Sequence, residues 1–190
     1  MNSTPSQVAG VTTIELMIVF AIVAVLIAIA APSFAEFLSK RRVDGVMSEL
    51  VTDMQYARSE AVSRNAKVRI TFGPRCYVIH LASATTAECD SSTATPTKTI
   101  TPAGAEIKTV QLDAGRPLTI DVAGLPFFVE FDPVRGTVVN SSGTNSALVD
   151  VRSTSGTAWL LRSVLTMMGR IDTCSPAGAG HVTGYSTDCT

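Results

Sequence analysis

Four cysteines, two histidines and one carboxylate set against an apolar run are the residues with chemistry to offer. Cys76, Cys89, Cys174 and Cys189 admit three pairings. Cys76 with Cys89 and Cys174 with Cys189 are favoured, because each closes a local loop near 15 residues, for which chain entropy gives about 3 kcal/mol. Segment 175–188 has too little apolar content to order itself, so a bridge there has a clear task. Disulfides imply an oxidising compartment, the periplasm or the cell exterior. Zinc is the rival use of these thiols. The spacings form no C-x-x-C pairs and only His80 and His181 could assist, so no metal site is expected. Signatures of the G-x-S-x-G, H-E-x-x-H, Walker and glycine-rich dinucleotide types are absent, which predicts a non-enzyme that needs no cofactor.

The carboxylate is Glu15, which directly precedes Leu16–Ala31, a run in which every residue is apolar. If the helix carries on through Pro32 to Ala35 it is about 20 residues long, enough at about 1.5 Å per residue to cross about 30 Å of hydrocarbon. An unpaired carboxylate inside the membrane costs roughly 2–4 kcal/mol or more, so Glu15 needs a neutralising partner or a place at the polar edge of the helix. Every Lys and Arg lies at Lys40 or later, so the segment lacks the positive start of a secretory signal. A signal cut after Ala35 and a plain anchor holding Lys40, Arg41 and Arg42 in the cytoplasm are the alternatives. The cysteines oppose the second of these.

Gly10-Val11-Thr12-Thr13-Ile14-Glu15-Leu16-Met17-Ile18-Val19, followed by Pro32 and Phe34, resembles the processing site and first helix of type IV pilins and pseudopilins. The resemblance implies that a prepilin peptidase cuts after Gly10 and methylates the new amino terminus at Val11. It implies an assembly role for Glu15, the fifth residue of the mature chain, and makes Pro32 the helix-kinking proline. Val11 stands where the family usually has Phe, and the leader carries no basic residue. The new amino group would be a cation able to pair with Glu15 of the same or a neighbouring chain, which neutralises the carboxylate and fixes register.

The elements that position these residues begin with one long helix. Phe34, Phe37, Leu38, Val43, Val46, Met47, Leu50, Val51, Met54, Ala57, Ala61 and Val62 recur at spacings of three and four, an apolar stripe. Lys40, Arg41, Arg42, Asp44, Glu49, Asp53, Arg58, Glu60 and Arg64 read as its solvated face. The pattern predicts a helix from about Thr12 to Arg64, with Pro32 and Gly45 as weak points. Sustained heptads, which a coiled coil requires, are absent. The segment from Glu49 to Asn65 resembles the end of this helix in the GspH/FimT branch of pseudopilins.

Beyond Asn65 the period changes from helical to alternating. Val68, Ile70 and Phe72 alternate with polar residues, and Gly73-Pro74 turns the chain into Arg75–Leu81, a hairpin. Residues 82–105, rich in Ser, Thr, Ala and Pro, read as a long surface loop. Further strands are predicted near Ile107–Leu112, Leu118–Val122, Phe127–Phe131, Thr137–Val139, Ala147–Arg152 and Ala158–Leu165. The turn from Phe131 to Gly136 also resembles the family, although an Asp-Pro turn explains it structurally. The expected class is α+β, a long N-terminal helix followed by an antiparallel sheet or sandwich. The expected divisions are a leader 1–10, a membrane or filament-core helix 11–35, its amphipathic continuation 36–65 and a periplasmic β domain 66–190.

The 190 residues are 46% hydrophobic and 16% charged, which suits one modest domain with an appendage. A net charge of -1 excludes a global field that would recruit nucleic acid, so any such site must be local. In the FimT-like branch a C-terminal Gly-Arg-x-Arg element is associated with DNA binding. The matching stretch here is Gly169-Arg170-Ile171-Asp172, with an aspartate in place of the second arginine, which leaves Arg162 and Arg170 as a weak patch. The resemblance as a whole implies a minor pilin or pseudopilin with an inner-membrane helix, placed near the tip of a type IV pilus or type II secretion pseudopilus. Its implied partners are the prepilin peptidase, other pilins or pseudopilins and the inner membrane. A DNA-binding pilin for uptake and a secreted soluble β domain are the alternatives.

Overall fold

A computed structural model of the chain describes residues 10–90, 97–113, 115, 117–122, 127–144, 146–178 and 180–189. The expected leader falls almost wholly on residues outside this set. The first ordered event is a cap: Thr12 Oγ1 accepts the Glu15 backbone N–H at 3.3 Å. Thr-x-x-Glu is a capping-box spacing, and it starts α1, Thr13–Arg64, with Glu15 in the first turn. α1 continues through Pro32 and Gly45 and ends at Asn65, whose φ of 48° is a left-handed conformation that asparagine tolerates.

The chain divides into two units, one ending at Leu38 and one running from Ser39 to Thr190. In the first, every described side chain from Val11 to Leu38 is exposed. The most apolar 18 residues of the helix have a mean hydropathy of 2.9, and the helix is long and apolar enough to cross a membrane.

The second unit is an antiparallel β structure packed on the latter part of α1. Its strands are β1 Val68–Gly73, β2 Cys76–Leu81, β3 Thr86–Asp90, β4 Thr97–Thr101, β5 Glu106–Gln111, β6 Leu118–Asp121, β7 Phe127–Phe131, β8 Val138–Asn140, β9 Ala147–Ser153, β10 Leu160–Leu165 and β11 Ile171–Cys174. They form a five-stranded sheet in the order β5-β2-β1-β7-β8, a four-stranded sheet in the order β11-β10-β9-β6, and the hairpin β3-β4. Val43, Val46, Met47, Leu50, Met54, Ala57 and Ala61 of α1 share one core with residues of both larger sheets, including Ile70, Phe131, Ile120, Val151 and Leu161. From Val43 to Ala61 the stripe read in the sequence is the face α1 buries here, whereas its outer members Phe34, Phe37, Leu38 and Val62 are exposed. Full burial of each large side chain contributes about 1.5–3 kcal/mol.

Two expectations need correction. Residues 82–105 are not one surface loop, because they carry β3, β4 and a single 3-10 turn at Ala103–Ala105. The hairpin is held by a second small apolar cluster of Cys76, Val78 and Cys89, with Ile100 packed against it. Nor is the polar face of α1 uniformly solvated: Asp53 is buried and Arg58 half-buried.

Across the outer face of the larger sheet, His80, Arg69 and Glu130 stand in register on β2, β1 and β7. Glu130 accepts from Lys67 Nζ at 2.8 Å and Arg69 Nε at 2.6 Å. Burial pushes its pKa up, but the two cations outweigh burial and hold it below the usual carboxylate range. His80 is 2% exposed. Its Nε2 lies 2.9 Å from Thr71 Oγ1 and its Nδ1 2.8 Å from the Leu81 carbonyl. The carbonyl can only accept, so Nδ1 carries the proton and Nε2 accepts from Thr71. Burial lowers the His80 pKa against the opposing pull of that carbonyl, and Arg69 lowers it further.

A His that is harder to protonate folded than unfolded leaves the unfolded chain with the greater affinity for protons. Stability is therefore expected to be full above the ordinary imidazole pKa, about 6.5, and to fall as the pH drops from there toward the lowered folded value. Thermal midpoints of the wild type and of His80→Gln between pH 8 and 5 test this. The wild type should lose more over that window, and parallel curves would remove His80 as the cause.

Candidate functional site

The residues singled out in the sequence do not converge on one reaction centre. Glu15 lies at the capped start of α1, in the exposed apolar unit. Gly10 and Val11 precede that cap and are exposed. Pro32 lies within the backbone of α1.

The structure joins Cys76 to Cys89 and Cys174 to Cys189, with Cα–Cα separations of 6.1 and 5.5 Å. The first bridge fastens the β3-β4 hairpin to β2. The second fastens the C-terminal segment to the end of β11. No cysteine is free, and among the described residues no group of three or more His, Cys, Asp or Glu is placed to hold a metal. The segment 175–189 is tied back at several points. Ser175 Oγ donates to the Leu160 carbonyl at 2.7 Å, Val182 joins the main core, and the Tyr185 hydroxyl donates to Asp44 Oδ1 of α1. That hydrogen bond, with burial second, raises the Tyr185 pKa to about 12, so the phenol stays a donor at neutral pH.

Besides Asp44, sequence reasoning missed two further polar anchors of α1. Asp53 is 4% exposed and accepts the Tyr77 hydroxyl at 2.8 Å and Lys108 Nζ at 2.7 and 2.8 Å. It thereby ties α1 to β2 and β5. The signal was present in the spacing: Val46, Leu50, Asp53 and Ala57 follow one another at four, three and four residues, which puts Asp53 inside the stripe. Arg58 lies under two turns. Its Nη1 donates to the Gly169 carbonyl at 3.3 Å. Gly136 and Gly169 have φ of 60° and 74°, and a Cβ on either would come within 3.0 and 2.9 Å of the guanidinium. Beside Arg58 runs an open groove of about 740 Å³ lined by Gln55, Ser59, Val62, Arg170 and Ile171 among others.

The glycine of the Gly169-Arg170 element therefore has a structural duty: it turns between β10 and β11 and seats Arg58. Gly169→Ala is expected to cost about 1–3 kcal/mol, from left-handed strain and the displaced guanidinium. The urea midpoint of the variant measures this. In an Arg58→Met background, which removes the planar group, the penalty should be smaller, and an equal penalty would show that Arg58 contributes nothing to it.

Arg162 and Arg170 are not brought together. Arg170 follows the turn, its carbonyl accepting the Thr166 N–H at 2.9 Å, while Arg162 lies four residues before Thr166 in β10, about 13 Å away at strand rise. Each meets an aspartate. Arg162 Nε and Nη2 donate to the two carboxylate oxygens of Asp150, both at 2.7 Å, and hydrogen bonding to Asp150 chiefly raises the arginine's pKa. The exposed Arg170 lies 2.8 Å from Asp172.

A long N-terminal helix, exposed and apolar in its first part and packed on antiparallel sheets in its second, defines an α+β architecture. Residues 47–167 match the family model described as type II transport protein GspH, and the chain belongs to this family. It is also similar to the crystal structure of the Pseudomonas aeruginosa (strain PAO1) type IV minor pilin FimU, at 21% identity and a TM-score of 0.48, over 72% of this chain and 90% of that one. No curated protein matches the chain.

Proposed function

We propose that this chain is a minor pilin or pseudopilin, cut by a prepilin peptidase after Gly10, N-methylated at Val11 and assembled at or near the tip of a type IV pilus or of a type II secretion pseudopilus. Residues 1–10 are then the leader, 11–35 the inner-membrane and later filament-core helix, 36–65 its amphipathic continuation and 66–190 the periplasmic domain. The observation that carries this reading is the contrast within α1. Its first part exposes every described apolar side chain, with Glu15 the carboxylate at its start, while its second part is buried in a disulfide-stapled β unit. Such a helix end needs lipid or neighbouring helices around it, and Glu15 needs a cation, which a newly cut amino terminus supplies.

The role is structural and non-enzymatic in this reading, and other pilins or pseudopilins are the partners. DNA is the weaker partner. Arg162 and Arg170 each already satisfy a carboxylate, so a phosphate would have to compete with an internal anion at both. The test is mass spectrometry of the N-terminal peptide from protein recovered in membranes with the prepilin peptidase present. A chain beginning with N-methylated Val11 is expected. A start at Met1 or near Glu36 would overturn the proposal.

A further inference from the structure

Within the globular unit, α1 carries a half-buried cation, Arg58, that meets no carboxylate among the described residues. Its bond to the Gly169 carbonyl, at 3.3 Å, is long and goes to a neutral acceptor. The acids nearest to it in the chain and on the facing turns are engaged elsewhere. Glu60 accepts from Arg64 at 2.6 Å, Asp172 lies 2.8 Å from Arg170, and Asp132 accepts the backbone N–H groups of Val134 and Arg135. A guanidinium partly withdrawn from water gains more from an anion than a fully exposed one, and its planar fork matches a carboxylate.

The groove beside Arg58, about 740 Å³, has the size of a ligand site. One wall is α1 with Ser59 and Val62, and the other is the β10-β11 turn and the start of β11, with Arg170 and Ile171. Val62 is 58% exposed although it continues the apolar stripe, and Met168, on the adjoining turn, is 69% exposed. β11 is an edge strand of its sheet, and the bridge from Ser186 reaches only its last residue, Cys174. Among the described residues, Ile171 to Thr173 thus keep an open backbone edge, which an extended segment can join.

The spacing selects the occupant. Contacts of β10 and its turn advance in step along α1, from Trp159 beside Lys40 to Ser163 beside Met54 and Gly169 beside Arg58, so β10 and its partner β11 run along the helix. Arg58 and Val62 are one turn apart, about 6 Å along α1. Residues i and i+2 of an extended chain share a face and lie about 6.4–6.8 Å apart. A strand laid beside β11 therefore brings two side chains of one face to Arg58 and Val62 together.

We infer that this groove receives an extended peptide segment of a fellow subunit, which pairs along β11, sets a carboxylate on Arg58 and an apolar side chain two residues away on Val62. The inference rests on the subunit reading above and adds the surface and the chemistry of the segment that fills it.

The probe is a fluorescein-labelled pool of peptides of the form Val-x-Glu-x-Val, with x randomised, so that either chain direction is served. A second pool carries Gln in place of Glu. Fluorescence polarisation with the full chain in detergent micelles is expected to show the Glu pool binding about tenfold more tightly than the Gln pool, the worth of a charge-assisted hydrogen bond. Val62→Glu alters an exposed side chain and sets a carboxylate one turn from Arg58, so it should occupy the guanidinium and abolish the preference. Arg58→Gln should abolish it too. Equal binding of the two pools, or a preference that survives in Val62→Glu, would overturn the inference. Displacement of the Glu pool by a thymidine oligonucleotide at equal concentration would overturn it as well and assign the groove to nucleic acid. The expected peptide pattern in a chain whose mature N-terminus is not Val11 would overturn the subunit reading alone. A mature N-terminus at Val11 without that pattern would overturn the groove assignment alone.

Discussion

Asp53→Ala is expected to lower the thermal midpoint of the globular unit by about 6–12 °C. The substitution leaves the Tyr77 hydroxyl, on a side chain 1% exposed, without its acceptor, and deprives Lys108 of its partner. Losing one member of a buried pair costs about 3–5 kcal/mol. Lys108 is 40% exposed and can turn to water, so the lower figure of about 3 kcal/mol applies. At about 2–4 °C per kcal/mol for a unit of this size, the stated shift follows. Burial, and next the hydrogen bond to Asp53, raise the Tyr77 pKa well above that of an ordinary phenol, so the hydroxyl remains a donor that needs an acceptor. In a Tyr77→Phe background the stranded hydroxyl is gone, and Asp53→Ala should then cost clearly less. A midpoint drop under 2 °C in the single variant, or strict additivity of the two, would show that the contact does not hold α1 to its sheet.

The second large effect belongs to the C-terminal bridge. Replacing Cys174 and Cys189 together by Ser opens a loop with a sequence separation of 15, for which chain entropy gives about 3 kcal/mol. The consequence is local before it is global. Without the bridge, Val182 and Tyr185 are retained by their own packing, by the hydrogen bonds of Ser175 and Asp44, and by backbone contacts such as the Leu160 N–H on the Gly180 carbonyl. Limited proteolysis of the full chain should cut segment 175–189 of the double variant at least tenfold faster than that of the wild type, while the β1-β2 hairpin stays protected. Equal cleavage rates would mean that the hydrogen bonds suffice and the bridge is dispensable.

The legible parts of the sequence were those with a strong period. The stripe from Val43 to Ala61 announced the buried face of α1, and the alternation in Val68, Ile70 and Phe72 announced β1. The strands of segment 82–105 were not legible. β3 and β4 are built from Thr, Ala, Glu, Cys, Asp, Lys and one Ile, and they pair because Cys89 and Ile100 pack with Cys76 and Val78, a tertiary fact with no periodic trace. β11 is four residues long and gains its order from pairing with β10 and from the bridge at Cys174. Asp53 and Arg58 were assigned to solvent because charge alone was read. Their partners, Tyr77, Lys108 and Gly169, come from remote segments that only the fold brings near. At the candidate site, the apolar run with Glu15 at its edge was plain in the sequence. The aspartates that engage Arg162 and Arg170 differ in this respect: Asp172 was visible two residues from Arg170, whereas Asp150 meets Arg162 only through the β9-β10 register.

One core serves both ends of the globular chain, since Val43 to Ala61 of α1 and Val182 near the C-terminus belong to it. That arrangement sets a clock on biogenesis. A ribosome adding about 5–20 residues per second needs roughly 6–25 s to synthesise residues 66–190. For that interval the apolar stripe of α1 lacks part of its cover, and in the membrane-resident reading proposed above it does so beside a bilayer able to accept it. A subunit built this way needs either a companion that shields the stripe until the last residues emerge, or a first half of the helix anchored firmly enough to keep the second half from sinking in after it.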